Sequence, residues 1–307
     1  MRRWARHPAW LGHLLVGALM MLLLGLFVVG LIVAQNPERA PLFGWQLTTS
    51  ETGLAGAGVD RNELAVFTGR VRPGMTLSRV KIVSPLDLSL VANVTLDRVW
   101  LAPQGGRQAL VLGSGTVVTD SDIDGSAMQS AERIGIYGNV PSRYTISRVS
   151  VTGTTVGAWL DGSGMGTMTD TYIHALVSNG GQHMDGFTRR AGTGPLTIAR
   201  SRIEARGASV TGAFFLQDTW GGTISGITVV DTLLDGMGYS LTLENHGAGT
   251  SVGMQNVRVR ATGWGPISAS PLNGHGVGAI TYSAWSDVRT FDPSRLPRAD
   301  GAVINHP

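Results

Sequence analysis

The chain of 307 residues has no cysteine. That excludes disulfide staples, thiolate metal centres and a lipidated cysteine. A domain without cross-links must hold itself by packing and by backbone hydrogen bonds. Charge is scarce too, at 15% of residues. Lysine is nearly missing: Lys81 stands alone against 23 arginines. No basic run of the kind that grips a phosphate backbone is present, so nucleic acid is not an expected partner. Long amphipathic helices are also lacking. A helical repeat needs about 12 residues of 3.6 periodicity per helix, and the 43 glycines interrupt any such run.

One long apolar run does occur. Residues 9–34, "AWLGHLLVGALMMLLLGLFVVGLIVA", carry no formal charge. A helix of about 26 residues crosses roughly 30 Å of hydrocarbon. A cleaved secretory signal has a shorter apolar region and a small residue three places before the cut, where this chain has Ile32. The run reads as an uncleaved transmembrane signal anchor. Arg2, Arg3 and Arg6 precede it. The positive-inside rule therefore leaves residues 1–8 as a cytoplasmic basic tail and puts everything beyond residue 35 outside the cell. The expected location is the cell membrane, single-pass, with an extracellular C-terminal domain. Four arginines and one acid fall in the first 40 residues, which leaves 20 basic and 20 acidic residues beyond them. The outer domain is formally neutral.

A short pattern recurs through that domain: apolar, two spacers, a small or β-forming residue, one spacer, apolar. It reads "LSRVKI" from Leu77, "LDRVWL" from Leu96, "VTDSDI" from Val118, "ISRVSV" from Ile146 and "MTDTYI" from Met168. It continues as "IARSRI" from Ile198, "ISGITV" from Ile224 and "MQNVRV" from Met254. Self-similarity at 20–50 residues signals a solenoid. Second apolar segments such as "RIGIYG", "VGAWLDG" and "YSLTLEN" follow within each repeat. Short β-rich stretches between Gly, Asp, Asn and Thr suit stacked coils of parallel strands. The expected fold is all-β: a right-handed parallel β-helix of about eight coils over residues 77–263, preceded by the transmembrane helix. Residues 35–76 are expected to form a linker and N-terminal cap, and 264–307 a C-terminal cap or a partly disordered tail. With both ends covered, a monomer is expected.

The ordered turn motifs carry a resemblance. They are "TGLAGAG" at Thr52 to Gly58, "VTLDRVWL" and "YTISRVSV", then "YIH" at Tyr172 to His174 and "HMDGF" at His183 to Phe187. "AFFLQD" at Ala213 to Asp218 and "GYSLTLEN" at Gly238 to Asn245 complete the set. Over residues 50–265 this resembles the exported right-handed parallel β-helix proteins common in actinobacteria, of the pectate-lyase-like superfold. The resemblance implies that fold and an extracellular glycan context, with a cell-wall or extracellular polysaccharide as partner. Such proteins usually follow Asp-Gly with an aliphatic residue and Gln, where this chain has Phe187 and Thr188.

Polysaccharide lyases of the superfold take a proton alpha to a uronate carboxyl group. They need a base and a positive charge or Ca²⁺ to hold the carbanion. "SNGGQHMDGFTRR", residues 178–190, offers His183, Asp185 and Arg189 for catalysis and Arg190 for substrate. A Ca²⁺ cofactor fits that scheme, although no acidic loop of known Ca²⁺ spacing marks a metal site. Hydrolysis needs two carboxyl groups about 5–9.5 Å apart. Asp218 and Glu244 each lie 20 residues after an anchor, Ile198 and Ile224, which stacks them if the coil lengths match. Asp161 and Asp185 would extend that acidic file. Aromatic rings stack on sugars, and Trp220 in "DTWGG" reads as an exposed platform. His174 reads as a structural histidine. The alternative to an enzyme is a non-catalytic cell-surface structural or adhesion module.

Overall fold

The computed structural model describes residues 43–178, 183–207, 210–218, 222–271, 276–292, 294 and 301–307. The apolar run 9–34 lies outside them. Among the described residues no helix is long and apolar enough to cross a membrane.

The described chain winds as a parallel β-solenoid of about seven turns, slightly fewer than the eight coils expected. Each turn contributes one strand to each of three parallel sheets, of nine, ten and eight strands. A representative turn runs Thr95–Asp97 on the first face, Trp100–Leu101 on the second and Gln108–Val111 on the third. The end strands Ala65–Val66 and Arg289–Phe291 belong to the second face and do not close full turns.

The repeat anchors form one inward file on the first face. Leu77, Leu96, Val118, Ile146, Met168 and Ile198 oppose one another in register. All are buried. Each fully buried aliphatic contributes about 1.5–3 kcal/mol, so the file is a main source of stability. The next member is Val229, which opposes Ile198 and Met254, and not Ile224. Ile224–Val230 carries a register irregularity between Ile224 and Ile227. The extra residues give the strand two apolar phases, and the sequence pattern selects the wrong one. A ninth member, Trp285, opposes Met254.

Two residues after each anchor the backbone turns from the first face to the second. Arg79, Arg98, Asp120, Arg148, Asp170, Arg200, Asp231, Asn256 and Asp287 all have φ between 46 and 53°. Non-glycine residues rarely adopt this left-handed conformation. Here the strain is offset coil by coil. The N–H of each such residue up to Asn256 donates to a carbonyl of the following coil, at 2.9–3.1 Å. The side chains pair as well: Arg148 with Asp120 at 2.6 Å, and Arg200 with Asp170 at 2.7 Å. Asn256 donates to Asp231 at 2.6 Å. From Arg98 to Asp231 this corner of the solenoid is thus a ladder of alternating charge.

The second and third faces meet at a file of Gly135, Gly157 and Gly186. A Cβ on Gly157 would lie 2.5 Å from the Gly186 carbonyl and 2.3 Å from an Ile173 methyl. Only glycine permits that approach.

The segment before the solenoid lies along its second face. The Gly44 N–H donates to the Asp231 carbonyl at 2.7 Å, and Gly53 to the Arg148 carbonyl at 2.8 Å. Arg202 Nη1 donates to the Leu47 carbonyl at 2.9 Å, and Arg61 Nε to Asp122 Oδ2 at 2.8 Å. Only the later part, with Phe67, Val71 and Met75, packs against the core at the end of the solenoid. At the other end the strands run past residue 263. Ile267–Ala269, Thr281–Ser286 and Arg289–Phe291 extend all three faces. Ile304 then packs on the core, its N–H donating to Val288 at 2.8 Å.

Candidate functional sites on two faces

The third face carries most of the residues that sequence reasoning selects. Its strands alternate, so residues two apart share a side. One file, Leu110, Ile136, Ala158, Phe187 and Phe214, is buried in the core. Phe187 and Phe214 stack there at 4.7 Å. The neighbouring file, Val111, Tyr137, Trp159, Thr188, Phe215 and Thr242, points the other way.

Arg189 falls in the inward register, opposite Leu216. It is 1% exposed and is the largest of the fully buried side chains. Its Nη2 donates to the carbonyls of Gly162 and Gly194, each at 3.1 Å, and its Nε to the Ala191 carbonyl at 3.4 Å. Burial draws the guanidinium below its ordinary pKa, against the opposing pull of Tyr144 and Asp161. Asp185 is 0% exposed and occupies the start of the same strand, opposite Val156 and Gly212. Four residues of extended chain separate the two, about 13 Å. His183 is exposed, with its ring edge-on to Phe215 at 6.4 Å. The structure therefore places His183 at the surface and closes Asp185 and Arg189 off from solvent. The three do not share one cleft.

Two carboxylates at the far end of the third face, Asp161 and Asp218, cap turns. Asp161 accepts the N–H of Arg190 at 2.8 Å and of Ala191 at 3.1 Å, and Trp159 Nε1–H at 2.7 Å. Burial nevertheless raises its pKa, the hydrogen bonds opposing. Asp218 repeats the arrangement. It accepts the N–H of His246 at 2.5 Å, Ala248 at 3.0 Å and Gly249 at 2.8 Å. Glu244 opposes Gln217, not Asp218. It accepts from Gln217 Nε2 and meets His246 Nε2, both at 2.8 Å. Asp218 and Glu244 do meet at one residue, His246, but one register step out of line. Asp161 and Glu244 lie in one file three strands apart, and Asp185 lies in another, so the four acids form no single row. Arg190 sits over the Trp159 ring at 4.3 Å. Trp220 lies outside the described residues.

The aromatics of this face form edge-on pairs. Tyr137 and Trp159 meet at 5.7 Å, and Tyr239 and Trp264 at 5.9 Å. Trp264 is 75% exposed. It precedes Ile267–Ala269 as Tyr239 precedes Leu241–Glu244. Among the described residues no group of three His, Asp or Glu is arranged to hold a metal ion.

A second cluster escaped sequence reasoning. A cleft of about 420 Å³ opens between the N-terminal segment and the second face, lined by Arg61, Trp100, Asp122, Ser150 and His174 among others. Ser150 Oγ and His174 Nε2 lie 3.1 Å apart. The His174 ring stacks on Tyr172 at 4.1 Å. Burial lowers the His174 pKa, with the charge of Glu204 opposing and that of Arg202 reinforcing. Asp122 accepts from the Leu54 N–H at 3.1 Å and from Arg61. Trp100 lies beneath the Lys81 ammonium at 3.9 Å and the Arg61 guanidinium at 5.1 Å. The available signal was positional. Asp122 and Ser150 are the fifth residues of consecutive repeats, and His174 directly follows the next repeat.

No protein-family model matches this chain, and neither a curated protein nor a solved structure does.

Proposed function

We propose that the third face binds a cell-wall or extracellular polysaccharide, and that residues 9–34 anchor the chain in the cell membrane with this face outside. The reading belongs with the right-handed, pectate-lyase-like resemblance of the turn motifs. One observation carries it. There are two edge-on aromatic pairs: Tyr137–Trp159 within the strands of the third face, and Tyr239–Trp264 in the turns that lead into its last two strands. The exit end of the same strands carries a file of hydrogen-bonding groups that includes Asp161, Gln217 and Glu244, two residues past Trp159 in register. Rings offer flat apolar area to sugar C–H faces. Carboxylates, amides and Arg190 offer partners to hydroxyl or uronate groups. Coils repeat at about 4.8 Å, so the array suits an extended chain rather than a small ligand.

Binding without cleavage is the better supported form. Asp161 and Glu244 are three strands apart, about 14 Å, beyond the span of either hydrolase geometry. Asp218 already accepts three backbone N–H groups.

The test is affinity electrophoresis of the full-length chain in mild detergent through gels containing neutral and uronic-acid polysaccharides. Retardation by at least one polymer, weakened about tenfold or more in Trp264→Ala and in Trp159→Ala, is expected. Equal retardation of the wild type and both variants would sink the proposal.

A further inference from the structure

We propose that the cleft under the N-terminal segment is an acyl-transfer site, with Ser150 as nucleophile and His174 as its general base, acting on small carboxylic esters of polar alcohols. The inference concerns a different face from the polysaccharide reading and stands apart from it.

The geometry of the second face makes the site. One file along it runs Lys81, Trp100, Asp122, Ser150, Tyr172 and Arg202 in register. Lys81, Trp100, Tyr172 and Arg202 are large or long and Asp122 is engaged by Arg61, so Ser150, the smallest member, forms a notch between Asp122 and Tyr172. Gly53 closes over this notch with φ +61°. A Cβ there would lie 1.9 Å from Asp122 Oδ1 and 2.9 Å from Ser150 Cβ. The overlying segment can come this close only with glycine, and the floor of the cleft becomes a narrow polar slot.

Within the slot the serine and histidine stand as an activated nucleophile requires. Their 3.1 Å separation is within reach for proton transfer. The imidazole is half-buried and fixed by its stack on Tyr172. Burial keeps it neutral near pH 7, the form in which it accepts a proton. Tyr172 opposes Arg202 and Ile173 opposes Ile203, so Glu204 follows His174 on the next coil. Arg202 holds the Glu204 carboxylate at 2.5 Å. That negative charge favours the imidazolium as it forms. Across the cleft the Arg61 guanidinium is held by Asp122 at 2.7 Å and supplies positive charge for an oxyanion.

The reaction balances with water alone. The Ser150 Oγ–H proton passes to His174 Nε2 while Oγ bonds to the ester carbonyl carbon. Collapse of the tetrahedral intermediate breaks the carbon–alkoxy bond, and the alcohol leaves with the proton from His174. Water then attacks the acyl-serine, His174 taking and returning its proton, and the carboxylic acid departs. The cleft of about 420 Å³ admits a small acyl group with part of its alcohol. Hydroxyl, carboxylate and guanidinium walls favour a polar alcohol over a lipid.

The full-length chain in mild detergent is treated with an alkyl fluorophosphonate and mapped by peptide mass spectrometry. A single adduct on Ser150 is expected, absent in Ser150→Ala. Hydrolysis of 4-nitrophenyl acetate should fall about 100-fold or more in kcat/KM in the same variant. Ser150→Cys gives a second reading, because the chain has no other cysteine. Its alkylation by iodoacetamide at pH 7 should slow about tenfold or more when His174→Gln is added, with the melting temperature checked in both. No adduct on Ser150 in the folded wild type, or equal alkylation rates with and without His174, overturns the assignment.

Discussion

Asp218 caps the turn of the coil that follows its own: its Oδ1 accepts the His246 N–H at 2.5 Å. Its other oxygen accepts Ala248 and Gly249. Hydrogen bonds to a charged group contribute about 1.5–3 kcal/mol each, and buried N–H groups without acceptors are costly. Asp218→Ala should therefore destabilise the domain by about 2–4 kcal/mol in urea unfolding. Asp218→Asn, which keeps one carbonyl acceptor, should lose roughly half of that. A stability unchanged in Asp218→Ala would show that the carboxylate is not a structural cap.

The fold was largely legible because its two strongest signals are local. An apolar anchor every 19–31 residues and an Arg, Asp or Asn two places later mark each turn from the first face to the second. Legibility failed where backbone irregularity intervened. At Ile224–Val230 a register shift moved the anchor five residues, to Val229, and separately Glu244 pairs with Gln217 where equal spacing would set it against Asp218. The candidate site was less legible for a different reason. The sequence offers Arg189 for catalysis, yet strand alternation turns it inward, and only the three-dimensional register reveals that. The Ser150–His174 contact joins residues 24 apart in sequence and depends on coil length.

Arg189 tests that inward placement directly. Its guanidinium donates to three backbone carbonyls inside the solenoid. Arg189→Ala leaves a cavity and strips those carbonyls, which should cost about 3–5 kcal/mol. Arg189→Lys should fail to restore it, because a single ammonium cannot reproduce the planar fork. Arg189→Met, which fills a position opposite Leu216, should be the mildest of the three. Unfolding midpoints in urea rank the variants. A wild-type midpoint for Arg189→Ala would return this residue to the surface and reopen a catalytic role.

The left-handed corner makes a conformational prediction. Asp170 has φ 51° and pairs with Arg200 at 2.7 Å. Asparagine tolerates this conformation, whereas a β-branched residue does not. Asp170→Asn should cost well under about 1 kcal/mol beyond the weakened pair. Asp170→Val should cost about 2 kcal/mol or more, since it adds backbone strain to the loss of the pair. The difference between the two variants isolates the backbone term. Equal melting temperatures would mean that the corner relaxes freely.

His174 gives the domain a defined pH response. Its folded pKa lies below the ordinary 6.5, chiefly because burial disfavours the imidazolium. The groups facing it are Glu204 and Asp122, which favour the cation, and Arg202 and Arg61, which oppose it. A depressed histidine binds fewer protons in the folded state than in the unfolded one, so its contribution to stability rises with pH. That contribution is fully present above about pH 6.5 and is lost as pH falls through the lower folded value. The melting temperature should therefore drop between about pH 7 and pH 5, and the drop should be shallower in His174→Gln, which keeps a polar group beside Ser150. Carboxylates titrate mostly below this window, so the difference between the two profiles reports the histidine. Parallel profiles would place His174 in an environment as open to water as the unfolded chain, which its half-buried stack on Tyr172 contradicts.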